Sequence, residues 1–164
     1  MRRFGALLAA LLLTGSLAAC GGQVQEMQSV QAFAMDTVMG LRACGGETED
    51  ALQAAEDELY RLDRELSRTR EDSAVSRLNR AAAGTSVEVG EELYALIGSA
   101  LGYSAATDGA FDITLAPVSS AWGFTEDAYR VPAQTELDAL LAHVGAQHVH
   151  LDGASAVSLD QGTQ

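Results

Sequence analysis

The sequence predicts an α+β fold in which helices pack against a mixed or antiparallel sheet. Two long segments repeat apolar residues every three to four positions, as amphipathic helices do. Residues 148–159 form two short alternating runs around Asp152-Gly153, which is typical of an antiparallel hairpin. Strands and helices do not follow a strict βαβ rhythm, so a doubly wound parallel sheet is not favoured.

The first twenty residues are typical of a lipoprotein leader. Arg2 and Arg3 supply a basic start, residues 4–13 are apolar, and a Leu-Ala-Ala-Cys box ends at Cys20. An apolar run of about ten residues is too short for a membrane-spanning helix, which needs about 20. We therefore expect an extracytoplasmic protein whose Cys20 carries a lipid anchor, on the cell surface or the periplasmic side of a membrane.

This leader sets the predicted domain organisation. Residues 1–19 are expected to be a cleaved signal peptide, residues 20–29 a tether, and residues 30–164 a single folded domain. Lipidation of Cys20 would leave Cys44 without a partner, so we expect Cys44 to be a buried free thiol.

The charge excludes one class of partner. The chain has 23 acidic and 10 basic residues, a net charge of −13, which becomes −15 when Arg2 and Arg3 are removed with the leader. Such a surface repels the phosphate backbone of nucleic acid, so we expect no nucleic-acid partner. An anionic ligand such as a nucleotide would need a metal ion, helix N-termini or backbone amides to offset the repulsion.

Local patterns predict the elements of the first half. Residues 30–43 are β-prone and predict one strand, bent near Asp36. A long helix follows, with Thr48 as its N-cap and one apolar face. That face carries Leu52, Ala55, Leu59, Leu62 and Leu66. A short helical turn is expected after Asp72-Ser73, ending at Asn79, and residues 86–89 alternate like a short strand.

The second half is predicted to contain two more helices. One opens at Glu91 and stops at Thr107-Asp108-Gly109, where glycine can adopt the left-handed conformation. Residues 111–122 are expected to be mixed, because Pro117 interrupts a regular run. A third helix starts near Thr135, which lies at capping-box spacing from Asp138, and ends at Gly145. Its predicted buried stripe is Leu137, Leu140, Leu141 and Val144.

Two features of the second half are candidates for chemistry. His148 and His150 face one side of a strand, but no further ligand completes a metal site, so an exposed pair is expected. In the segment 107–114, a glycine turn brings backbone close to a planar ligand, against which Phe111 could pack while Asp112 accepts hydrogen bonds from a ring or ribose. The same string would equally serve as a helix stop followed by a strand.

Four stretches of the sequence resemble the ApbE family of FAD:protein FMN transferases, in the family's order. They are FAMDT at 33–37, DSAVSRLN at 72–79, GAFDITLAP at 109–117 and AWGF at 121–124. Two positions depart from the family pattern. Asp36 stands where a glycine is common, and Thr69 stands where the family often has a flavin-contacting tyrosine.

The resemblance implies an enzyme that transfers FMN from FAD to a threonine of a partner flavoprotein and uses Mg²⁺. It implies that the acceptors are subunits of membrane redox complexes. It also implies that the flavin nucleotide is contacted by Met35, Ala110, Phe111 and Asp112. We assign no catalytic residue and no metal ligand within this sequence.

The resemblance covers about the N-terminal half of a family member, and the sequence ends just after a strand-like segment. The Mg²⁺ ligands are therefore expected further along the chain, and a chain limited to these 164 residues is expected to be inactive. The alternative is a non-catalytic, lipid-anchored module that binds a flavin nucleotide or a partner protein.

Overall fold

The computed structural model describes residues 26–124 and 128–164, and the predicted leader with Cys20 lies outside this part. The chain divides into two compact units, with the boundary between Asp57 and Glu58. The described residues include helices and two small antiparallel sheets, which confirms the predicted α+β class. Over these residues, no helix has the length and apolarity needed to cross a membrane.

The first unit contains a β-hairpin. Strand β1 (Met27–Ala34) pairs with strand β2 (Thr37–Cys44) in antiparallel register, so the predicted single bent strand is wrong. Met35 and Asp36 form the loop, with φ angles of 52° and 56°. Two successive left-handed residues match the strand twist of a tight hairpin. The turn was missed because such loops usually carry Asn-Gly or Asp-Gly.

The two faces of this hairpin differ in burial. Ala32 and Ala34 are buried, whereas the cross-strand partners Phe33 and Val38 are 65% and 63% exposed. Cys44 lies on the same face of β2 as Val38, because their positions differ by an even number. It is exposed, so the expected buried thiol is wrong.

Helix α1 (Thr48–Leu66) follows the hairpin, as predicted. Glu49 and Asp50 lie in its first turn, where negative side chains stabilise the positive end of the helix dipole. The boundary between the two units falls within this helix.

Besides the C-terminal part of α1, the described residues of the second unit form four helices and a three-stranded sheet. In chain order its elements are α2 (Ala74–Arg80), β3 (Val87–Glu88), α3 (Glu91–Ala106), α4 (Ala116–Ala121), α5 (Gln134–Leu141), a 3₁₀ turn (Ala146–His148), β4 (Val149–Asp152) and β5 (Ala156–Leu159). The sheet order is β3-β5-β4, with antiparallel pairing throughout. The predicted hairpin over 148–159 is confirmed.

One apolar core holds this unit together, and Val157 at its centre is fully buried. The other buried members are Ala74, Leu78, Val89, Leu93, Ile97, Val149 and Leu159. Ser73 is the N-cap of helix α2, and its hydroxyl oxygen accepts a hydrogen bond from the Ser76 amide at 2.9 Å. This N-cap confirms the start predicted at Asp72-Ser73.

Residues 111–122 differ from the prediction, because they include helix α4. Pro117 is the second residue of that helix. The first turn of a helix has no intrahelical acceptor for its N–H groups, so proline is tolerated there. Pro117 therefore lies in the first turn of a helix, in a segment where it was expected to interrupt any regular run.

Helix α5 is also shorter than predicted. It ends at Leu141, and its N-cap is Ala133, without a side-chain bond, so the capping box of Thr135 and Asp138 does not form. Asp138 accepts a hydrogen bond from Gln134 at 2.7 Å instead. No α5 residue is fully buried and Leu141 is exposed, so the predicted buried stripe is wrong.

Candidate functional site

The predicted ligand-binding segment begins with a tight turn at the end of α3. Gly109 donates a backbone hydrogen bond to the Ser104 carbonyl at 2.8 Å, which closes the helix. Asp108 and Gly109 both adopt left-handed conformations, with φ of 51° and 80°. The Thr107 hydroxyl oxygen accepts a hydrogen bond from the Phe111 amide at 3.1 Å. The turn is therefore fixed by bonds at both ends.

This turn presents an aromatic side chain to solvent. The Phe111 ring is 45% exposed and packs edge-to-face against Tyr103, with ring centroids 6.3 Å apart. Ala110 is exposed beside it, and its methyl group leaves the backbone accessible. A planar ligand can stack on an aromatic face of this kind.

Asp112 has one oxygen in use and one available. Its Oδ1 accepts hydrogen bonds from the amide and the hydroxyl of Thr114, at 2.7 and 2.5 Å. Thr114 is 1% exposed, and its hydroxyl oxygen accepts a hydrogen bond from the Gly145 amide at 2.7 Å. Within the part of the chain that the structure describes, Asp112 Oδ2 has no hydrogen bond. Thr114 thus orients a carboxylate whose second oxygen can accept one.

The residues directly after Asp112 border an apolar cavity of about 300 Å³. Ile113, Thr114 and Ala116 line one part of it, and the core residues Leu93 and Ile97 line another. This volume is within the range of small-molecule sites, which are mostly apolar with a few placed polar groups.

Met35, the remaining predicted contact residue, belongs to the first unit. It occupies the β1–β2 turn in a left-handed conformation and is partly exposed. The structure therefore places Ala110, Phe111 and Asp112 in one turn of the second unit, and Met35 in the hairpin loop of the first.

The predicted histidine pair is joined by a carboxylate that the sequence did not reveal. His148 Nδ1 lies 3.0 Å from Asp160 Oδ2, and His150 Nε2 lies 2.9 Å from Asp160 Oδ1. The hydrogen bond to His148, followed by the one to His150, lowers the pKa of Asp160. Among the described residues, no group of three His, Cys, Asp or Glu side chains is arranged to hold a metal ion.

Two interactions in this region were missed because their partners are far apart in sequence. Thr114 and Gly145 are separated by 31 positions, and Asp160 is 12 positions from His148. A carboxylate directly after a predicted hairpin with histidines on its first strand was the available signal for Asp160. For the bond between Thr114 and Gly145 there was no signal in the sequence.

The fold is that of solved ApbE structures. The ApbE protein of Thermotoga maritima superimposes with a TM-score of 0.79 and 29% identity, over 85% of this chain and 46% of that one. The apo flavinyl transferase ApbE of Pseudomonas stutzeri gives a TM-score of 0.74 and 28% identity, over 85% and 48%. Both similarities extend over most of this chain.

Sequence comparison gives the same result. A curated relative from Salmonella typhimurium, named FAD:protein FMN transferase, is 32% identical over 157 residues, which are 88% of this chain and 43% of the relative. The model of the ApbE family matches residues 35–164. The chain therefore belongs to the ApbE family, and it spans about half the length of the relatives that it matches over most of its own length.

Proposed function

We propose that this chain forms the flavin-nucleotide-binding part of an FAD:protein FMN transferase. The observation that carries the proposal is the fixed turn at 107–114, which presents Phe111 and Asp112 beside an apolar cavity in a chain of the ApbE family. The name of the Salmonella relative supports the choice of FAD as donor and a protein as acceptor.

In the proposed reaction, a threonine hydroxyl of the acceptor attacks the phosphorus of the FMN half of FAD. A bond forms between the threonine oxygen and that phosphorus, the pyrophosphate P–O bond breaks, AMP leaves, and the hydroxyl proton is released. Positioning and charge neutralisation dominate catalysis of phosphoryl transfer. The acceptors that we propose are flavoprotein subunits of membrane redox complexes.

Each contact residue has a distinct proposed role. The Phe111 ring packs on the planar part of the nucleotide, and Ala110 keeps the backbone open to close approach. The second carboxylate oxygen of Asp112 accepts a hydrogen bond from the ring or a ribose hydroxyl. Met35, in the β1–β2 turn, is proposed to supply an adaptable thioether contact.

The proposed reaction also uses Mg²⁺, which would neutralise the pyrophosphate. The described residues do not fit this ion, because no group of three His, Cys, Asp or Glu side chains is arranged around a common point. We therefore assign this chain the binding and orientation of the nucleotide, and no metal-dependent step.

We further propose that the protein is an extracytoplasmic lipoprotein anchored through Cys20. The support is the basic, apolar and Leu-Ala-Ala-Cys pattern of residues 1–20. Labelling of expressing cells with radioactive palmitate should mark the protein, and Cys20→Ser should abolish the label. Equal labelling of both forms would contradict the anchor.

The binding role can be tested by titrating the chain with FAD and following flavin fluorescence. Phe111→Ala should weaken binding about fivefold, because stacking on an exposed ring contributes about 1 kcal/mol. Phe124→Ala is the matched control, since Phe124 is also an exposed phenylalanine of the second unit. Absence of FAD binding to the unmodified chain would overturn the proposal.

A flavinylation assay tests the expectation that a chain limited to these 164 residues binds the nucleotide without transferring it. The chain is incubated with FAD, Mg²⁺ and an acceptor subunit, and covalent flavin on the acceptor is measured by in-gel fluorescence. Transfer would support the enzyme and contradict the expected inactivity of these residues, whereas binding of FAD without transfer is the result expected of the nucleotide-binding part.

A further inference from the structure

A second cavity of the second unit has a different chemistry. It measures about 400 Å³, and all the described residues that line it have polar side chains. Two of the chain's ten basic residues, Arg68 and Arg80, are among them, and no aspartate or glutamate is. The chain as a whole has a net charge of −13, whereas the charged side chains among the described lining residues of this cavity are both positive.

Each of the two guanidinium groups donates a hydrogen bond to a neutral oxygen. Arg68 donates from Nη1 to the Ser120 hydroxyl oxygen at 3.2 Å. Arg80 donates from Nη2 to the Glu71 backbone carbonyl. Because a guanidinium has five N–H donors, the carbonyl bond leaves Arg80 with donors for a ligand. The Ser76 hydroxyl donates to the Arg68 carbonyl at 3.1 Å and fixes the backbone there.

The polar cavity adjoins the apolar cavity beside Asp112. Arg68 and Asn79 line both of them, and Ile113 and Thr114 line the apolar one. A ligand with a planar apolar part and a phosphate group can therefore place one part in each cavity. Arginine binds phosphate in a bidentate manner, with charge-assisted hydrogen bonds.

We propose that Arg68 and Arg80 form a subsite for the phosphate groups of the nucleotide donor. This inference rests on the proposed function and adds the anion-binding residues that the donor needs. The two guanidinium groups offset the repulsion that an acidic chain exerts on a dinucleotide.

The test is a calorimetric titration of the 164-residue chain with FAD, with riboflavin, which lacks phosphate, and with inorganic phosphate. Arg80→Gln should weaken FAD binding about tenfold and leave riboflavin binding unchanged, because a charge-assisted hydrogen bond contributes about that factor. Arg80→Lys, which keeps the charge, should recover part of the loss. Arg68→Gln should act in the same direction.

Arg77→Gln is the matched control. Arg77 lies one turn earlier on α2 and also donates to a backbone carbonyl, that of Asp72 at 2.8 Å, but it does not line the cavity. Equal effects of Arg77→Gln and Arg80→Gln on FAD binding would overturn the inference. So would an equal loss of riboflavin affinity in Arg80→Gln.

Different results of this titration would contradict the proposed function and the phosphate subsite. If the unmodified chain binds neither FAD nor riboflavin, the proposed function is wrong, and the subsite is wrong with it. If FAD binds and neither Arg68→Gln nor Arg80→Gln changes its affinity, only the subsite is wrong. Binding of inorganic phosphate that Arg80→Gln abolishes, with FAD affinity unchanged, would assign the cavity to another anion and also overturn the subsite.

Discussion

The two β-hairpins of this protein reach the same topology by different means. The β4–β5 hairpin turns through residues 153–155, directly after Asp152, and contributes three core residues, including the fully buried Val157. The β1–β2 hairpin turns through Met35-Asp36, and Phe33 and Val38 are exposed on one of its faces. Burial thus anchors the second hairpin, whereas the first exposes an apolar face next to a residue proposed to bind the nucleotide.

Side chains outside the strands also tie the β4–β5 hairpin to the rest of its unit. The Tyr94 hydroxyl donates to the Gly153 carbonyl at 2.9 Å, and Asp160 bonds to both histidines. A hairpin secured in this way suits a structural role. The tip of the first hairpin, with a strained and partly exposed Met35, suits contact with a ligand.

The largest expected effect contrasts the buried and exposed valines. Val157→Ala should lower the free energy of unfolding of the second unit by about 2 kcal/mol, because two buried methyl groups are lost and a cavity remains. Val38→Ala should change stability by less than about 0.5 kcal/mol, since its side chain is exposed. Urea unfolding followed by the fluorescence of Trp122, the single tryptophan, measures the first effect.

Hydrogen exchange of the β1–β2 amides measures the effect of Val38→Ala. If Val157→Ala and Val38→Ala lowered stability by similar free energies, the proposed contrast between the two hairpins would be wrong.

Substitutions in the two hairpin turns are expected to change stability by a smaller amount. Asp36→Gly should raise the free energy of opening of the β1–β2 hairpin by about 0.5–1 kcal/mol, because glycine adopts a left-handed conformation without the cost that a side chain incurs. Gly153→Ala should lower the stability of the β4–β5 hairpin by a similar amount, since Gly153 has a φ of 66°. Amide hydrogen exchange resolves both hairpins, and changes of the same sign would contradict the account.

These turns also show how far the sequence predicts the fold. Asp152-Gly153 carries the composition that tight hairpins require, so the β4–β5 hairpin was predicted, whereas Met35-Asp36 does not, so its turn was taken for a bend. Pro117 was expected to interrupt any regular run, because a sequence pattern does not reveal that a proline lies in the first turn of a helix, where it is tolerated. The sequence therefore predicts turns from their local composition, but it does not predict which position a residue occupies within a helix.

The candidate site also contains residues that the sequence predicts and residues that it does not. Ala110, Phe111 and Asp112 are contiguous and match a family motif, so they were identified together. The bond between Thr114 and Gly145 and the cavity shared by Arg68 and Arg80 depend on tertiary packing of distant segments. Periodicity and motif spacing contain no information on such pairs.

The smallest expected effect is a dependence of folding stability on acidic pH. Hydrogen bonds from the histidines lower the pKa of Asp160 below its ordinary value of 3.8, so its ionised form stabilises the folded state. This contribution is complete above that ordinary value and is lost as the pH falls through the lowered pKa. Asp160→Asn should therefore be less stable than the unmodified chain at pH 7, and the difference should disappear in acid.

Chemical denaturation of both forms from pH 7 to about pH 2 measures this difference. Asp152→Asn is the matched control in the same hairpin. A difference between Asp160→Asn and the unmodified chain that remained constant into strong acid would show that the ionised carboxylate is not the source.

The most direct test of nucleotide binding is an NMR titration of the isotopically labelled chain with FAD. Binding at the proposed site should shift the amide signals of Ala110, Phe111 and Asp112, together with that of Met35, in proportion to bound nucleotide, while those of the β4–β5 turn remain in place. Saturable binding that left the signals of 110–112 unchanged and shifted others would contradict this prediction.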